Sequence, residues 1–387
     1  MTAYDVIVLG AGAAGLMCAL TAGQRGKRVL LLDHADEPGK KILISGGGRC
    51  NFTNLGCVPD RFLSANRHFV RSALSRYTQH DFIALVARHR IAWHEKTLGQ
   101  LFCDGSAREI VAMLVAECAA GNVDIRMGHR VTGVTTGFCV DTDHGVFTAP
   151  ALVLATGGLS IPKMGATGFA HDVARQFGLR LTGVRPGLVP LTFQGEALDL
   201  MRPLSGVALP VVACIGKTRF REAMLFTHRG LSGPAVLQIS SFWTPGLEIT
   251  LDCLPDQDAR ATLLALKASR PRAGFKTVLA DILPQRLAAL LAPEDGPTMS
   301  NQTDRALTAM ADRLKDWRLT PAGTEGYAKA EVTLGGIDTR DFSSQTMQAN
   351  AVPGLFAIGE AVDVTGWLGG YNFQWAWSSG WCAGMAV

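Results

Sequence analysis

The fold of this chain is decided by the stretch Val6-Ile7-Val8-Leu9-Gly10-Ala11-Gly12-Ala13-Ala14-Gly15. The apolar run Tyr4–Leu9 predicts a strand, the apolar spacing of Ala13–Arg25 predicts a helix, and Arg28–Asp33 predicts a second strand. Strand, helix and strand within about thirty residues make a βαβ unit, which requires a parallel sheet. The Gly-x-Gly-x-x-Gly spacing at the first strand–helix junction is typical of a dinucleotide site, because the helix N-terminus then faces a pyrophosphate.

The contacts expected from this unit lie in the glycine loop and at the end of the second strand. In the loop they are Gly10, Gly12, Ala13, Ala14 and Gly15. Asp33 ends the second strand, where a carboxylate accepts hydrogen bonds from ribose hydroxyls.

Two further apolar runs end in small or polar residues. Ala151–Ala155 is followed by Thr156, Gly157 and Gly158, and Gly354–Ile358 is followed by Gly359 and Glu360. Because ligands bind at the carboxyl ends of parallel strands, all five following residues are candidate cofactor contacts. Glu360 could accept from a ribityl hydroxyl or only cap a helix.

A loop rich in glycine, serine and asparagine follows the first βαβ unit. Its candidate contacts are Lys41, Ser45, Gly46, Gly47, Gly48, Arg49, Cys50 and Asn51. Successive glycines let backbone N–H groups approach a flat ligand or its phosphates. A flexible surface loop with a solvated Lys40-Lys41 pair is the alternative interpretation.

A second glycine-rich block near the C-terminus completes the cofactor prediction. Its candidate contacts are Gly370, Tyr371, Asn372, Phe373 and Gln374, at the start of a helix without charged residues. Such a helix start stabilises the charge that a reduced flavin develops near N1. Because a protein that uses NAD alone has no need of a second half-site, the two blocks together predict FAD. The glycines and polar side chains within Val364–Val387 favour a buried helix over a membrane span.

Composition and charge narrow the classes of function. The chain has 387 residues, of which 48% are hydrophobic and 18% charged, as in a well-buried enzyme. Its net charge is only +4, and no basic run alternates with aromatic residues, so we expect no nucleic-acid partner and no membrane partner but a small-molecule substrate. Nine cysteines without a CxxC pair indicate no metal site and a cytoplasmic location.

The order of the predicted elements gives an α/β fold with two insertions. Residues 1–184 plus 336–387 form a Rossmann-like FAD-binding domain. Residues 185–254 plus 319–335 form an inserted β-rich domain, and 255–318 form a helical insertion.

The chain resembles the bacterial YhiN/BaiN-type flavoproteins of the glutathione-reductase-like FAD superfamily. The matching blocks are Gly10–Gly15, Gly39–Asn54, Leu154–Pro162, Phe226–Pro234, Ala330–Gly336 and Gly354–Gly384. The resemblance implies an FAD-dependent oxidoreductase, with Val131 as a backbone contact of the adenine. The family more often has glutamate where this chain has Asp33. Some relatives are NAD(P)H-dependent reductases of conjugated enones, which suggests NAD(P)H as a transient hydride donor.

Enone reduction requires an acid to protonate the α-carbon, and Tyr371, His228 and Tyr327 are the candidates by residue type. A second hypothesis is a flavin-dependent thiol/disulfide oxidoreductase that uses Cys50 and Cys57, although six residues separate these cysteines where such enzymes have four. A third hypothesis is a flavoprotein whose helical insertion binds RNA or protein. Its only local basic cluster is Arg270, Arg272 and Lys276, which is also typical of a solvated helix end.

Overall fold

The computed structural model describes residues 4–292 and 296–387, which form two compact units. The first unit comprises Met1–Arg185 and Val332–Val387, and the second Pro186–Glu331. The strands are β1 Val6–Leu9, β2 Val29–Leu32, β3 Asn51–Asn54, β4 Phe62–Leu63, β5 Trp93–Glu95, β6 Gln100–Cys103, β7 Asp124–Arg126, β8 Val131–Thr135, β9 Cys139–Thr142, β10 Gly145–Thr148, β11 Ala151–Leu154, β12 Arg185–Gly187, β13 Leu191–Thr192, β14 Ala208–Ile215, β15 Thr218–Thr227, β16 Gly230–Ser232, β17 Ile249–Asp252, β18 Trp317–Leu319, β19 Gly323–Thr324, β20 Val332–Leu334, β21 Leu355–Ala357 and β22 Thr365–Gly366.

The helices are α1 Ala13–Gln24, α2 Lys40–Ile44, α3 Val70–Arg76, α4 Gln79–Arg88, α5 Ala107–Ala120, α6 Phe169–Gln176, α7 Gly195–Met201, α8 Pro234–Ser240, α9 Ala259–Ser269, α10 Phe275–Ala280, α11 Gln285–Leu291, α12 Asp304–Lys315 and α13 Tyr371–Ala386. Among the residues described, no helix combines the length and apolar character that crossing a bilayer requires.

A parallel five-stranded sheet with the order β21-β11-β1-β2-β7 is the centre of the first unit. Strand β1 pairs with β2 on one side and with β11 on the other. Leu9 lies opposite Leu32 of β2 and opposite Leu154 of β11. Every residue of β1, β2 and β11 is buried, as expected for a parallel sheet with both faces covered. The predicted βαβ unit and parallel sheet are confirmed.

Helices α1 and α13 pack closely against each other, although they lie at opposite ends of the sequence. A side chain at Gly380 would place its Cβ 2.5 Å from the Ala14 carbonyl oxygen. One at Gly384 would place its Cβ 2.7 Å from the Cys18 carbonyl oxygen. Glycine at these two positions therefore lets the uncharged C-terminal helix approach the helix of the glycine loop.

Strand β7 differs from the sequence prediction. The alternating pattern of Asp124–Val134 predicts part of a small antiparallel meander, but β7 pairs in parallel with β2 at the edge of the main sheet. The meander contains only β8, β9 and β10. An edge strand has one neighbour and can keep polar residues, so its local pattern resembles that of a meander strand.

The second unit is built on a seven-stranded antiparallel sheet with the order β18-β17-β14-β15-β16-β13-β19. Its longest pairing joins β14 to β15 from Ala208–Leu225 to Ile215–Thr218. Helices α9 to α12 follow β17, within the range where the sequence pattern changes from strand to helix. The fold class is therefore the predicted one, an α/β Rossmann-like domain with a β-rich and a helical part.

Candidate active site

The carboxyl ends of four neighbouring strands bring together eleven of the residues predicted to contact the cofactor. The glycine loop follows β1, and Asp33 follows β2. Thr156, Gly157 and Gly158 come after β11, and Gly359 and Glu360 come after β21. Because these strands are parallel neighbours, their ends form one edge, which is where ligands bind in such sheets.

The glycine loop is held by one very close backbone approach. A side chain at Gly15 would place its Cβ 1.9 Å from the Gly10 carbonyl oxygen, a distance that no packed structure allows. The third glycine of the motif is therefore required for the loop itself. Ala13 and Ala14 form the first turn of α1, so their N–H groups lie at its N-terminus.

The second glycine faces open space. A Cβ built at Gly12 meets nothing within 4 Å, and the same is true of Gly47 in the glycine-rich loop. At the end of β11, the buried Thr156 hydroxyl has no hydrogen-bond partner among the residues described. Room beside a helix N-terminus and an unsatisfied hydroxyl are what a bound pyrophosphate requires, so these residues fit FAD.

The Asp33 carboxylate holds the glycine loop against the end of β2. It accepts from the Ala11 N–H at 2.6 Å and from the Ala35 N–H at 2.8 Å. Each carboxylate oxygen can accept a second hydrogen bond, so both remain able to bind ribose hydroxyls. The backbone also links this position to Val131 at the start of β8, because the nearby His129 N–H donates to the Asp33 carbonyl at 2.9 Å.

A polar network joins α2 to the end of β21. The Lys41 ammonium lies 2.6 Å from the Glu360 Oε2 and 2.5 Å from the Ser160 hydroxyl, which in turn donates to Glu360 Oε1 at 2.8 Å. Lys41 is therefore bound into the site, whereas Lys40 pairs with Asp36 on the surface. The solvated-pair interpretation holds for Lys40 but not for Lys41.

Thr333, at the centre of β20, extends this network. Its N–H donates to Glu360 Oε1 at 2.8 Å, and its hydroxyl accepts from the N–H groups of Leu159 and Ser160 at 2.7 and 3.2 Å. Three groups therefore orient the Glu360 carboxylate, and a helix cap is not among its roles. Its predicted contact with a ribityl hydroxyl stays a prediction.

The second half of the candidate site lies where β3 meets the start of α13. The Asn51 side-chain amide lies 3.2 Å from the Gly370 nitrogen and 3.1 Å from the carbonyl oxygens of Thr53 and Leu101. The residues Ser45, Gly46, Gly47 and Gly48 form a short 3-10 turn that leads through Arg49 and Cys50 into β3. The glycine-rich loop is thus an ordered turn attached to the C-terminal helix.

Two of the predicted contacts in α13 use their side chains to hold the helix. The Gln374 amide accepts from the Thr53 hydroxyl at 2.7 Å and donates to the Tyr77 carbonyl at 3.2 Å. Asn372 exchanges two hydrogen bonds with the backbone of Gly366. Any cofactor contact from these two residues would therefore come from their backbone. Phe373 is half-buried and stacks on Trp377.

Tyr371 is the candidate acid that lies within the first unit. It is buried, and its hydroxyl oxygen accepts a hydrogen bond from the Arg61 guanidinium. That guanidinium also lies over the rings of Trp367 and Tyr371, 5.5 and 5.7 Å from their centroids. Sequence reasoning did not identify Arg61, because the contact joins a short turn to a helix 310 residues away.

The other two candidate acids belong to the second unit. His228 is exposed in the turn between β15 and β16. Tyr327 follows β19 and is half-buried, and burial raises the pKa of its phenol. The structure therefore does not group the three candidates within one unit.

The two cysteines of the thiol/disulfide hypothesis are both buried and free. Burial raises the pKa of Cys57 to about 12 and that of Cys50 further. The thiolate is the species that attacks a disulfide. Because a raised pKa keeps both thiols protonated, neither is activated for thiol–disulfide exchange.

Three curated relatives match nearly the whole chain. A ribosomal RNA dihydrouridine synthase of Escherichia coli is 53% identical over 99% of this chain and 98% of its own length. A protein of the same name from Haemophilus influenzae is 45% identical over 98% of both chains. A 3-dehydro-bile acid delta(4,6)-reductase of Clostridium scindens is 28% identical over 98% of both.

These names overturn one sequence prediction. The expectation of no nucleic-acid partner is wrong, because two relatives that align from end to end are named for a reaction on ribosomal RNA. The prediction rested on the small net charge of the whole chain. Attraction to phosphate depends on where the charges lie, which a whole-chain average does not report.

The match to a family model covers the whole site. The model described as the HI0933-like protein Rossmann domain matches residues 4–386 and so includes both glycine-rich blocks and both units. Together with the relatives, it confirms the resemblance to the YhiN/BaiN-type flavoproteins. The chain therefore belongs to the HI0933-like family of FAD-binding Rossmann proteins and is an FAD-dependent oxidoreductase.

Proposed function

We propose that this chain reduces the C5=C6 double bond of a uridine in ribosomal RNA, which gives dihydrouridine, with a reduced nicotinamide as the electron donor. The observation that carries the proposal is the 53% identity, over 99% of the chain, to a protein named for this reaction. Fold alone would not support a substrate, but the match to this relative covers 99% of the chain and so includes the candidate site.

The proposed reaction belongs to the chemical class that the family resemblance implied, the reduction of conjugated enones. The C5=C6 bond of uracil is conjugated with the C4 carbonyl, so it is reduced as an enone is. A hydride adds to C6, the β-carbon, and a proton adds to C5, the α-carbon. The balanced reaction consumes one reduced nicotinamide and one proton for each uridine, and it gives dihydrouridine and the oxidised nicotinamide.

The residues at the strand ends would hold the cofactor. FAD held there would supply hydride chemistry for the reduction. Gly12 and Thr156 would lie at its pyrophosphate, since one leaves the room and the other offers an unsatisfied hydroxyl. Asp33 and Glu360 would bind sugar hydroxyls with the lone pairs that their protein partners leave available.

Tyr371 is our candidate for the group that delivers the proton to C5. It begins α13, beside the glycine pair of the second half-site. Because Arg61 donates to the phenol oxygen, the phenol proton points away from the guanidinium. The positive charge of Arg61 would also stabilise the oxygen after the proton has left.

Mass spectrometry of digested RNA tests the proposal. Bacterial ribosomal RNA transcribed in vitro, which carries no modification, is incubated anaerobically with the holoprotein and NADH or NADPH. We expect one or a few uridines to become dihydrouridine, and we expect none with the Gly12→Val protein. Rapid reduction of small enones without any dihydrouridine would contradict the proposal and favour a small-molecule reductase, in line with the name of the Clostridium relative.

A further inference from the structure

The positive charge of this protein is concentrated in one segment, residues 40–76. This segment contains seven of the chain's 37 Lys and Arg residues but only one of its 33 Asp and Glu residues, Asp60. The rest of the chain therefore has slightly more acidic than basic residues. Because like charges repel, such a concentration opposes folding, and a binding role would account for it.

Five arginines of this segment form no ion pair with any residue that the structure describes: Arg49, Arg61, Arg67, Arg71 and Arg76. The two lysines differ, since Lys40 pairs with Asp36 and Lys41 with Glu360. Arg61 and Arg76 lie over the rings of Trp367 and Trp381. Arg49, Arg67 and Arg71 are exposed, so their guanidinium groups face solvent.

The segment borders the candidate active site. Arg49 connects the 3-10 turn to β3, and β4 pairs with β22 just before the second glycine block. Further along, the ring of Phe69 contacts that of Trp375 with centroids 6.1 Å apart, and the Trp375 indole donates to the Gly359 carbonyl at 3.0 Å. Between these points the loop exposes two large apolar side chains, Leu55 at 40% and Val58 at 48%.

We propose that the four exposed arginines, Arg49, Arg67, Arg71 and Arg76, here called the arginine surface, bind the phosphates of the RNA on either side of the uridine that is reduced. This inference rests on the proposed function. A guanidinium binds phosphate through two parallel hydrogen bonds, and one without a carboxylate partner loses no ion pair when it does so. The exposed Leu55 and Val58 would pack against bases that leave their stack when the uridine enters the site.

Arg67 and Arg71 provide the sharpest test, because neither belongs to the candidate cofactor site. Binding of a fluorescent ribosomal RNA fragment is measured over a range of salt concentrations for Arg67→Gln/Arg71→Gln and for the original protein. We expect the double variant to bind at least about tenfold more weakly. The slope of log K against log salt should become smaller by about 1.4 to 1.8, as for the loss of two phosphate contacts.

Two further variants serve as controls. Arg67→Lys/Arg71→Lys keeps both charges and should retain most of the binding. Arg260→Gln/Arg305→Gln removes two exposed arginines of the second unit that form no ion pair with any described residue, and it should bind RNA as the original protein does. An equal loss of RNA affinity in the two Gln double variants, or no loss in Arg67→Gln/Arg71→Gln, would overturn the proposed role of the arginine surface.

Activity measurements separate this inference from the proposed reaction. In Arg67→Gln/Arg71→Gln we expect NAD(P)H oxidation with a small enone to be unchanged, while dihydrouridine formation falls with RNA binding. If the original protein binds RNA through Arg67 and Arg71 but forms no dihydrouridine, the proposed reaction is wrong and the arginine surface stands. If dihydrouridine forms and this double variant binds RNA normally, only the arginine surface is wrong.

Discussion

The Lys41 ammonium lies 2.6 Å from the Glu360 carboxylate, although 319 residues separate the two in the sequence. This contact joins the segment after the first βαβ unit to the end of the last strand of the sheet. Ser160 and Thr333 complete it, so four separate stretches of the first unit meet at one carboxylate. The network therefore connects α2, the residues after β11 and strand β20 to the end of β21.

Breaking the Lys41–Glu360 pair should affect cofactor binding more than stability. For Lys41→Met we expect a decrease of only about 0.5–1 kcal/mol in the free energy of unfolding, because both side chains are partly exposed. FAD affinity should fall about tenfold, since Glu360 loses one of the groups that orient it. Urea denaturation and flavin titration of the apoprotein measure the two effects. Lys40→Met, which breaks a surface pair, is the control and should retain normal FAD affinity.

Two glycines of the same motif should respond differently to valine. Gly12→Val should fold but contain no FAD, because its side chain enters open space where the pyrophosphate would lie. Gly15→Val should lose more than about 3 kcal/mol of stability, because its Cβ would lie 1.9 Å from a backbone oxygen. Circular dichroism reports folding and the absorbance near 450 nm reports flavin, and a yellow Gly12→Val protein would exclude this placement of the cofactor.

Tyr371→Phe tests the proton donor. We expect the rate of dihydrouridine formation to fall about 10²- to 10⁴-fold, the usual contribution of a general acid. Reduction of the flavin by NAD(P)H, followed by stopped-flow absorbance, should keep its rate because it needs no proton from Tyr371. The matched substitution Tyr327→Phe and the substitution His228→Asn replace the other two candidates. A large loss of dihydrouridine formation in either of them, with normal turnover in Tyr371→Phe, would move the role to that residue.

His171 should make the protein less stable in mild acid. It is buried in α6, its Nε2 has no hydrogen-bond partner among the described residues, and burial lowers its pKa below the ordinary 6.5. The unfolded chain therefore takes up the proton first, so this contribution to stability is present above pH 6.5 and is lost as the pH falls below it. The loss is at most about 1.4 kcal/mol per pH unit.

Urea denaturation between pH 7.5 and 5.5 measures this effect. The free energy of unfolding should fall more steeply in the original protein than in His171→Leu, which has no proton to take up. If the free energy of unfolding changed equally with pH in the two proteins, His171 would not contribute to the pH dependence of stability.

The parts of the fold that the sequence predicted are those that depend on local patterns. The strand, glycine turn, helix and second strand at the start of the chain have a strict spacing, and the structure contains them as β1, α1 and β2. Strand β7 was assigned to the wrong sheet because its neighbour, β2, lies almost a hundred residues earlier. Local alternation gives a strand but not its partner.

In the candidate site too, local sequence patterns did not predict contacts between distant residues. The sequence predicted which strand ends carry small and polar residues, and parallel pairing then places them at one edge. Ser160, Thr333 and Arg61 were not assigned roles, because each makes a contact that spans between 173 and 310 residues. Thr333 and Ser160 do lie within blocks that carry the family resemblance, and that was the available signal.

The packing of α13 on α1 has a consequence for synthesis on the ribosome. The glycine loop leaves the exit tunnel early, but the helix that covers it is translated some 350 residues later. At bacterial elongation rates, the nascent chain waits about 20 to 70 s with the Rossmann core unfinished. We therefore expect flavin capture to follow the translation of α13, because until then the face of α1 that packs against this helix is uncovered.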